Sequence, residues 1–372
     1  QPASVPIYQT STWAFSGSDD FAGVLAHERP GYAYGRGYGN PTVDAFESVA
    51  ADLEGYEAAF GFSSGMSAIS AVCLTLARAG DRIVASHELY GGTYAFLHAV
   101  APRLGVEVDF VDPHDVAGCE EALPGAALFY AETIANPLCT VADLPALGEA
   151  CRRAGVISIV DNTFASPWLC RPAEWGIDIV VHSVTKYLAG HSDVIGGVAC
   201  SSSALRRRIR DTAIDVGGAM QPFDAWLATR GIQTLGLRQE RQCASAATLA
   251  NELYGRAGIA AVHYPGLAGH PHHARAKRLF RPGFFGGMLS VEIAGGAGPA
   301  QRFCELLELA FIGASLGGTH TLVAHPASTT HRQMSRKDRL ALGLSDGLVR
   351  ISMGIENPED LIADFLGALA KL

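Results

Sequence analysis

IDIVVHSVTKYLAGHSDVIGG, residues 177–197, opens as an apolar, β-branched run and then breaks off at a set of polar side chains. Ile177, Ile179, Val180 and Val181 read as a buried strand, and Ser183, Thr185 and Lys186 lead from it into a loop of Gly, His, Ser and Asp. A lysine just past the end of a buried strand lies where open α/β sheets place their ligands. There its ammonium is partly desolvated, its pKa falls, and the neutral amine becomes a nucleophile. A surface lysine capping a strand is the plainer alternative. Ser183 and Thr185 argue against it, because they set two hydroxyls beside the amine, as an anion site needs.

The neighbouring segments extend the pattern. GVISIVDN, residues 155–162, is a second buried strand, ending in the carboxylate of Asp161. An amine and an acid at the ends of two parallel strands, with hydroxyls between, suit a pyridoxal phosphate (PLP) site. Lys186 would join the cofactor's aldehyde, and Asp161 would keep the pyridinium nitrogen protonated. Upstream, FSSGMSAIS (62–70) is a Gly- and Ser-rich turn entering a helix, whose leading amides and dipole favour phosphate. Downstream, Arg350 sits on a short apolar strand between Val349 and Ile351, and its planar guanidinium suits a two-pronged hold on a substrate carboxylate.

VDNTFASPW (160–168) followed by HSVTKYLAGHSDVIGG (182–197) resembles the signature of the Cys/Met-metabolism family of PLP-dependent enzymes. The likeness continues from Tyr34 to Arg350, through HELYGGTYAF (87–96), AETIANP (131–137), SLGGTHTLVAHPASTTH (315–331) and LVRISMGIE (348–356). It implies that the Gly65 and Met66 amides and the Ser183 and Thr185 hydroxyls hold the phosphate. Tyr90 would stack on the ring and assist at the substrate's γ-carbon, and Asn136 would bond the ring's phenolic oxygen. Ser315 would help Arg350 orient the carboxylate. Tyr34 and Arg36 would reach across a dimer interface to a neighbour's phosphate, although four residues separate Arg36 from Pro41 where three are more usual. A homotetramer built from dimers that share active sites is the implied assembly.

Two departures bear on the reaction. Methionine γ-lyases usually carry Cys two residues after the tyrosine, and this chain has Gly92. Cystathionine-processing relatives usually carry Glu where this chain has His320; a histidine supplies no full negative charge for a cationic far end. Gly92 weakens a strict methionine γ-lyase reading, but His320 disfavours cystathionine and the compact length disfavours a sulfhydrylase, so the implied activity is γ-elimination on methionine or homocysteine, releasing a thiol, ammonia and 2-oxobutanoate. Alternatives are γ-replacement on an O-acylhomoserine and cystathionine γ-lyase chemistry. A nucleotide-binding protein built on the Gly65 turn lacks the Gly-x-Gly-x-x-Gly it needs, and a silent scaffold would leave Lys186 without a role.

Composition narrows the setting. At 372 residues, with 48% hydrophobic and 17% charged residues, the chain can bury a large core and has a lean surface that suits an oligomer. A net charge of −9 with no basic patch speaks against nucleic acid; Arg206 to Arg208 reads as a solvated helix face. No apolar run is long enough for a membrane span. Eight cysteines without CxxC spacing read as reduced thiols of a cytoplasmic protein. His270, His272 and His273 form a cluster read as structural, with no metal expected.

The pattern predicts an α/β fold of the aspartate aminotransferase type: a mostly parallel sheet with helices on both faces and a smaller C-terminal α+β domain. Residues 1–42 would form an extended arm, 43–238 the large PLP-binding domain and 239–372 the smaller domain. Strands are predicted at 82–85, 106–111, 127–130, 156–160 and 177–181, and later at 287–293 and 348–353. Helices are predicted at 65–80, 94–104, 144–154, 225–253, 299–309 and 358–369.

Overall fold

Asn40 and Ser64 start two helices on either side of the first strand. The computed structural model describes residues 2–26, 28–330, 332 and 334–372, with the side chain of Asp338 excepted; His331, at the end of one quoted motif, lies outside the described residues. A short helix α1 (Ser18–Leu25) interrupts the N-terminal segment expected to be extended. In α2 (Pro41–Glu54), the Asn40 side chain accepts the Thr42 amide at 2.9 Å and Pro41 fills the first turn. The Asn-Pro pair thus begins a helix, since proline's missing N–H costs nothing at that position. In α3 (Gly65–Leu76), Ser64 accepts the Ser67 amide at 3.0 Å.

The larger sheet has seven strands: β1 (Ala58–Phe62), β2 (Arg82–Ser86), β3 (Glu107–Val111), β4 (Leu128–Glu132), β5 (Ile157–Asp161), β6 (Ile179–Ser183) and β7 (Gly197–Ser201). Their order is β1-β7-β6-β5-β4-β2-β3, and β7 alone runs against its neighbours. Both faces are covered, which is why β4 to β6 read as continuous apolar runs. Val72, Ile69 and Leu97 pack on one face; Phe46, Leu147 and Ala150 pack on the other. β1 and β7 escaped the sequence pattern because AAFGF and GVACS are short and rich in Ala and Gly; β7 lies antiparallel between β1 and β6.

A second sheet of five strands, β8 (Ile259–His263), β9 (Met288–Ile293), β10 (Phe311–Ile312), β11 (Leu322–Ala324) and β12 (Leu348–Ser352), has the order β10-β11-β12-β9-β8. Its core is Leu249, Leu253, Val291, Phe303, Ile351, Leu361 and Phe365, drawn partly from the helices Leu235–Leu253 and Pro358–Ala370.

Three helical predictions need correction. The segment 94–104 is not one α-helix: Gly91–Ala95 is α-helical, Phe96–Val100 a π turn and Ala101–Leu104 a 3-10 turn, with Pro102 forcing the last change. The predicted helix over 225–253 is two, Pro222–Ile232 and Leu235–Leu253, broken at Gln233 and Thr234. Of the face expected to be solvated, Arg207 and Arg208 are exposed, but Arg206 is part-buried; its Nε donates to the Ala59 carbonyl at 3.1 Å and its Nη2 to Glu47 at 2.8 Å.

All eight cysteines are buried and unpaired, and burial pushes the thiols of Cys73, Cys139, Cys151, Cys243 and Cys304 up to about 12. No helix among the described residues is long and apolar enough to cross a membrane.

Candidate active site

Strands β1, β2, β4, β5 and β6 all run the same way, so the segments that follow them emerge at one edge of the sheet. That edge collects the α3 N-terminus after β1, Tyr90 after β2, Glu132 and Asn136 after β4, Asp161 after β5, and Ser183 to Lys186 after β6. It is the edge where α/β sheets hold ligands.

Four lysines occur in the chain. Lys277, Lys337 and Lys371 are exposed, whereas Lys186 is half-buried in the turn that follows β6. Burial, with the nearby Arg350 charge, lowers its pKa from 10.5 to about 8. Its Nζ donates to Ser315 Oγ at 2.7 Å. Arg238, 3% exposed, holds this turn from behind by donating to the carbonyls of Tyr187 (2.8 Å) and Leu188 (3.4 Å). Gly190, at φ +72°, admits that guanidinium, since a Cβ there would lie 1.9 Å from Arg238 Nη1. Sequence reading missed Arg238 because its partners are backbone atoms far away in the chain.

The lowered pKa has a direct readout. At pH 7 about one Lys186 amine in ten is neutral, against roughly one in three thousand for a lysine at 10.5. Reductive methylation of cofactor-free protein should therefore modify Lys186 with a pH midpoint of about 8, while Lys277, Lys337 and Lys371 follow only at higher pH. Peptide mass spectrometry across the titration checks this; a shared midpoint would contradict it.

Helix geometry leaves the Gly65 and Met66 amides over, because Ser64 already takes the Ser67 amide on Oγ and the Ala68 amide on its carbonyl. Ser183 lies directly against this turn: a Cβ on Gly65 would come within 2.9 Å of Ser183 Cβ. Thr185 Oγ1 accepts the Gly196 amide at 3.1 Å. The approach depends on Gly197, where a methyl would sit 2.2 Å from the Ser64 carbonyl oxygen and 2.9 Å from Gly65 Cα. Gly197→Ala is expected to cost about 1–3 kcal/mol in denaturant unfolding, because backbone rather than a mobile side chain must yield. An unchanged midpoint would show that the turn gives way freely.

Asp161 is buried at the end of β5, and burial raises its carboxyl above the ordinary range. The Thr163 amide, donating at 2.9 Å, and the field of His182 act the other way. His182 lies on the opposite face of the sheet with its Nε2 2.5 Å from Glu54 Oε1, and Asn162 Nδ2 donates to the same oxygen at 2.7 Å. Glu132 stands opposite Asp161 in the strand register, and burial pushes its carboxyl well up. Glu54 and Glu132 carried no sequence signal, since their partners are distant in the chain.

Arg350 reaches the site from β12. Its Nη2 donates to the Ser315 carbonyl at 2.8 Å and its Nη1 to Asn136 Oδ1 at 3.4 Å, while the buried Nε has no partner among the described residues. Ser315 thus takes Lys186 on its hydroxyl and Arg350 on its carbonyl, at a φ of +81° that costs a non-glycine residue about 1–3 kcal/mol. Tyr90 is half exposed; its amide donates to Glu132, and its phenol acts electrostatically on Arg350. Its ring occupies the space beside Gly92, where a Cβ would lie 2.5 Å from Tyr90 Cε1 and 3.0 Å from Met66 Sδ.

Tyr34 and Arg36 stand apart from this group. Tyr34 is 46% exposed, and Arg36 donates to the Ile214 carbonyl with its guanidinium 5.9 Å from the Tyr34 ring centroid. The histidine cluster fastens loops: His272 Nδ1 accepts the Val141 amide at 3.0 Å, and His273 Nδ1 donates to the Pro265 carbonyl at 2.8 Å. No metal-holding group occurs among the described residues.

Residues 1–370 match the model of the Cys/Met metabolism PLP-dependent enzyme family. The chain belongs to this family. It is 41% identical to the L-methionine gamma-lyase of Pseudomonas putida, over 98% of this chain and 92% of that one. It is 42% identical to the cystathionine gamma-lyase of Bacillus subtilis, over 99% and 94%. Among solved structures, cystathionine gamma synthase from Xanthomonas oryzae pv. oryzae in complex with cystathionine is similar with a TM-score of 0.93 and 38% identity, over 99% of this chain and 93% of that one. The fold and the cofactor class implied by the motifs are thereby established.

The residues at the sheet edge fit PLP. A family member needs an amine available near neutrality, a buried acid, free amides for a phosphate and a cation for a carboxylate. Lys186, Asp161, the Gly65–Met66 turn and Arg350, whose Nε has no partner among the described residues, offer groups of those kinds.

Proposed function

We propose that this enzyme catalyses γ-elimination on a sulfur amino acid, methionine or homocysteine, consuming water and releasing a thiol, ammonia and 2-oxobutanoate. The observation that carries the reading is the shared use of Ser315 by Lys186 and Arg350. A carboxylate bound to Arg350 brings the substrate's Cα beside the one amine able to move its proton. PLP, once bound, supplies an electron sink for negative charge at Cα.

The chain's own groups do the rest. Arg350, without a carboxylate partner among the described residues, takes the substrate carboxylate in two parallel hydrogen bonds, with Ser315 and Asn136 setting its plane. Lys186, with a pKa of about 8, accepts a proton from Cα and returns one further along the chain. Asp161 would face the ring nitrogen of bound PLP, and a positive charge there would offset the cost of burying the carboxylate. The Tyr90 phenol, at the open side of the site, donates its proton to the departing thiolate. Gly65, Met66, Ser183 and Thr185 hold the phosphate. Tyr34 and Arg36, exposed in the segment before α2, would serve a neighbour's site in a dimer and, through paired dimers, a tetramer.

His320 supports methionine or homocysteine over cystathionine. It is exposed, 5.6 Å from the Phe311 ring, and brings no full negative charge to a distal ammonium. Gly92 favours a second reading, γ-replacement on an O-acylhomoserine, because the Tyr90 ring takes the room that a cysteine there would need. Assaying 2-oxobutanoate from methionine, homocysteine, cystathionine and O-acetylhomoserine, each with and without added thiol, separates the readings. The lyase reading expects 2-oxobutanoate from methionine or homocysteine without an acceptor. Dependence on the acceptor with the O-acyl substrate would replace it.

A further inference from the structure

Glu132 has an environment that packing alone does not explain. It ends β4 at 7% exposure, opposite Asp161 in register, and the charges acting on it from Asp161 and Glu88 are both negative. A carboxylate in such a place is costly, and a well-packed apolar side chain would serve the core better. What it does there is accept two backbone amides. The Tyr90 amide donates to Oε1 at 2.5 Å, and the Asn136 amide also donates to the carboxylate.

Those amides belong to the two residues flanking the cofactor ring in the reading above. Tyr90 is 50% exposed, so packing does not hold it; its backbone must. Nearby, Glu88 accepts Thr140 Oγ1 at 2.5 Å and lies 3.0 Å from His114 Nε2, a second tie between the segment after β2 and the segment after β4. We propose that Glu132 is a positioning residue, fastening the amides of Tyr90 and Asn136 to the end of β4 so that the phenol and the carboxamide face the cofactor ring in fixed places. The inference rests on the roles given to Tyr90 and Asn136.

The test uses PLP-loaded protein carrying Glu132→Ala or Glu132→Gln. Without substrate, Glu132→Ala should move the pH midpoint of the cofactor's near-visible band by about half a unit or more. With methionine it should lower kcat about tenfold or more and change KM little. Glu132→Gln, whose amide oxygen still accepts the Tyr90 N–H, should recover much of both. In a Tyr90→Phe background, Glu132→Ala should cost far less than it does alone. An unchanged band and kcat, or losses that simply multiply with those of Tyr90→Phe, would overturn the proposal. If Glu132→Ala does not fold, Glu132→Asp carries the same test, since it keeps the carboxyl group but falls a methylene short of the amides. The absorbance arm needs no substrate, so failure of the lyase reading leaves it intact.

Discussion

Lys186→Ala is expected to lower turnover by on the order of 10³-fold or more, because it removes both the cofactor's attachment and the group that moves substrate protons. Lys186→Arg should fare no better. A guanidinium keeps the charge but stays protonated throughout the working range, so it can neither attack an aldehyde nor accept a proton. The amine makes one hydrogen bond, to Ser315 Oγ, so its removal should leave the fold in place. Two measurements decide the matter: 2-oxobutanoate release with each variant, and borohydride fixation of PLP followed by peptide mapping. Label on another lysine, or retained turnover in Lys186→Ala, would remove the basis of the functional reading.

Arg350→Lys should raise KM for the amino acid by about 10- to 100-fold, the loss expected when charge-assisted hydrogen bonds worth roughly 1.5–3 kcal/mol are given up. A lysine offers a point charge where the planar fork presents parallel donors to a carboxylate. Because Arg350 helps depress the Lys186 pKa, Arg350→Met should also raise it, and the midpoint for methylating Lys186 should move to higher pH. The two readouts are independent. KM unchanged by Arg350→Lys would assign the carboxylate to another group.

Much of the site could be read from residues close together in the chain. The β6 run ends at Ser183, Lys186 follows it, and Asp161 closes β5, so the amine and the acid were visible as strand-end residues. The α3 turn was visible as Ser-Gly before a helical repeat. What stayed hidden depends on contacts between distant segments. Glu54 reaches His182 from the last residue of α2, Arg238 reaches the Lys186 turn from a helix in the second half of the chain, and Glu132 reaches back to Tyr90. No local pattern marks such residues, since each looks like an ordinary charged position until its partner is known. β1 and β7 were hidden for another reason: small side chains carry weak strand periodicity, yet they are what lets Gly197 approach Ser64 so closely.

The buried cysteines bear on how such an enzyme survives its own product. A catalyst that frees a volatile mercaptan works amid the disulfides that form when the mercaptan meets air, and those disulfides capture any accessible thiolate. Here every sulfur is shielded, and the high pKa values keep the ionised, reactive form scarce at neutral pH. Gly92 removes one more sulfur from beside the Tyr90 ring. Under the γ-elimination proposed above, the released mercaptan and its disulfides would find no exposed cysteine among the described residues to form mixed adducts with.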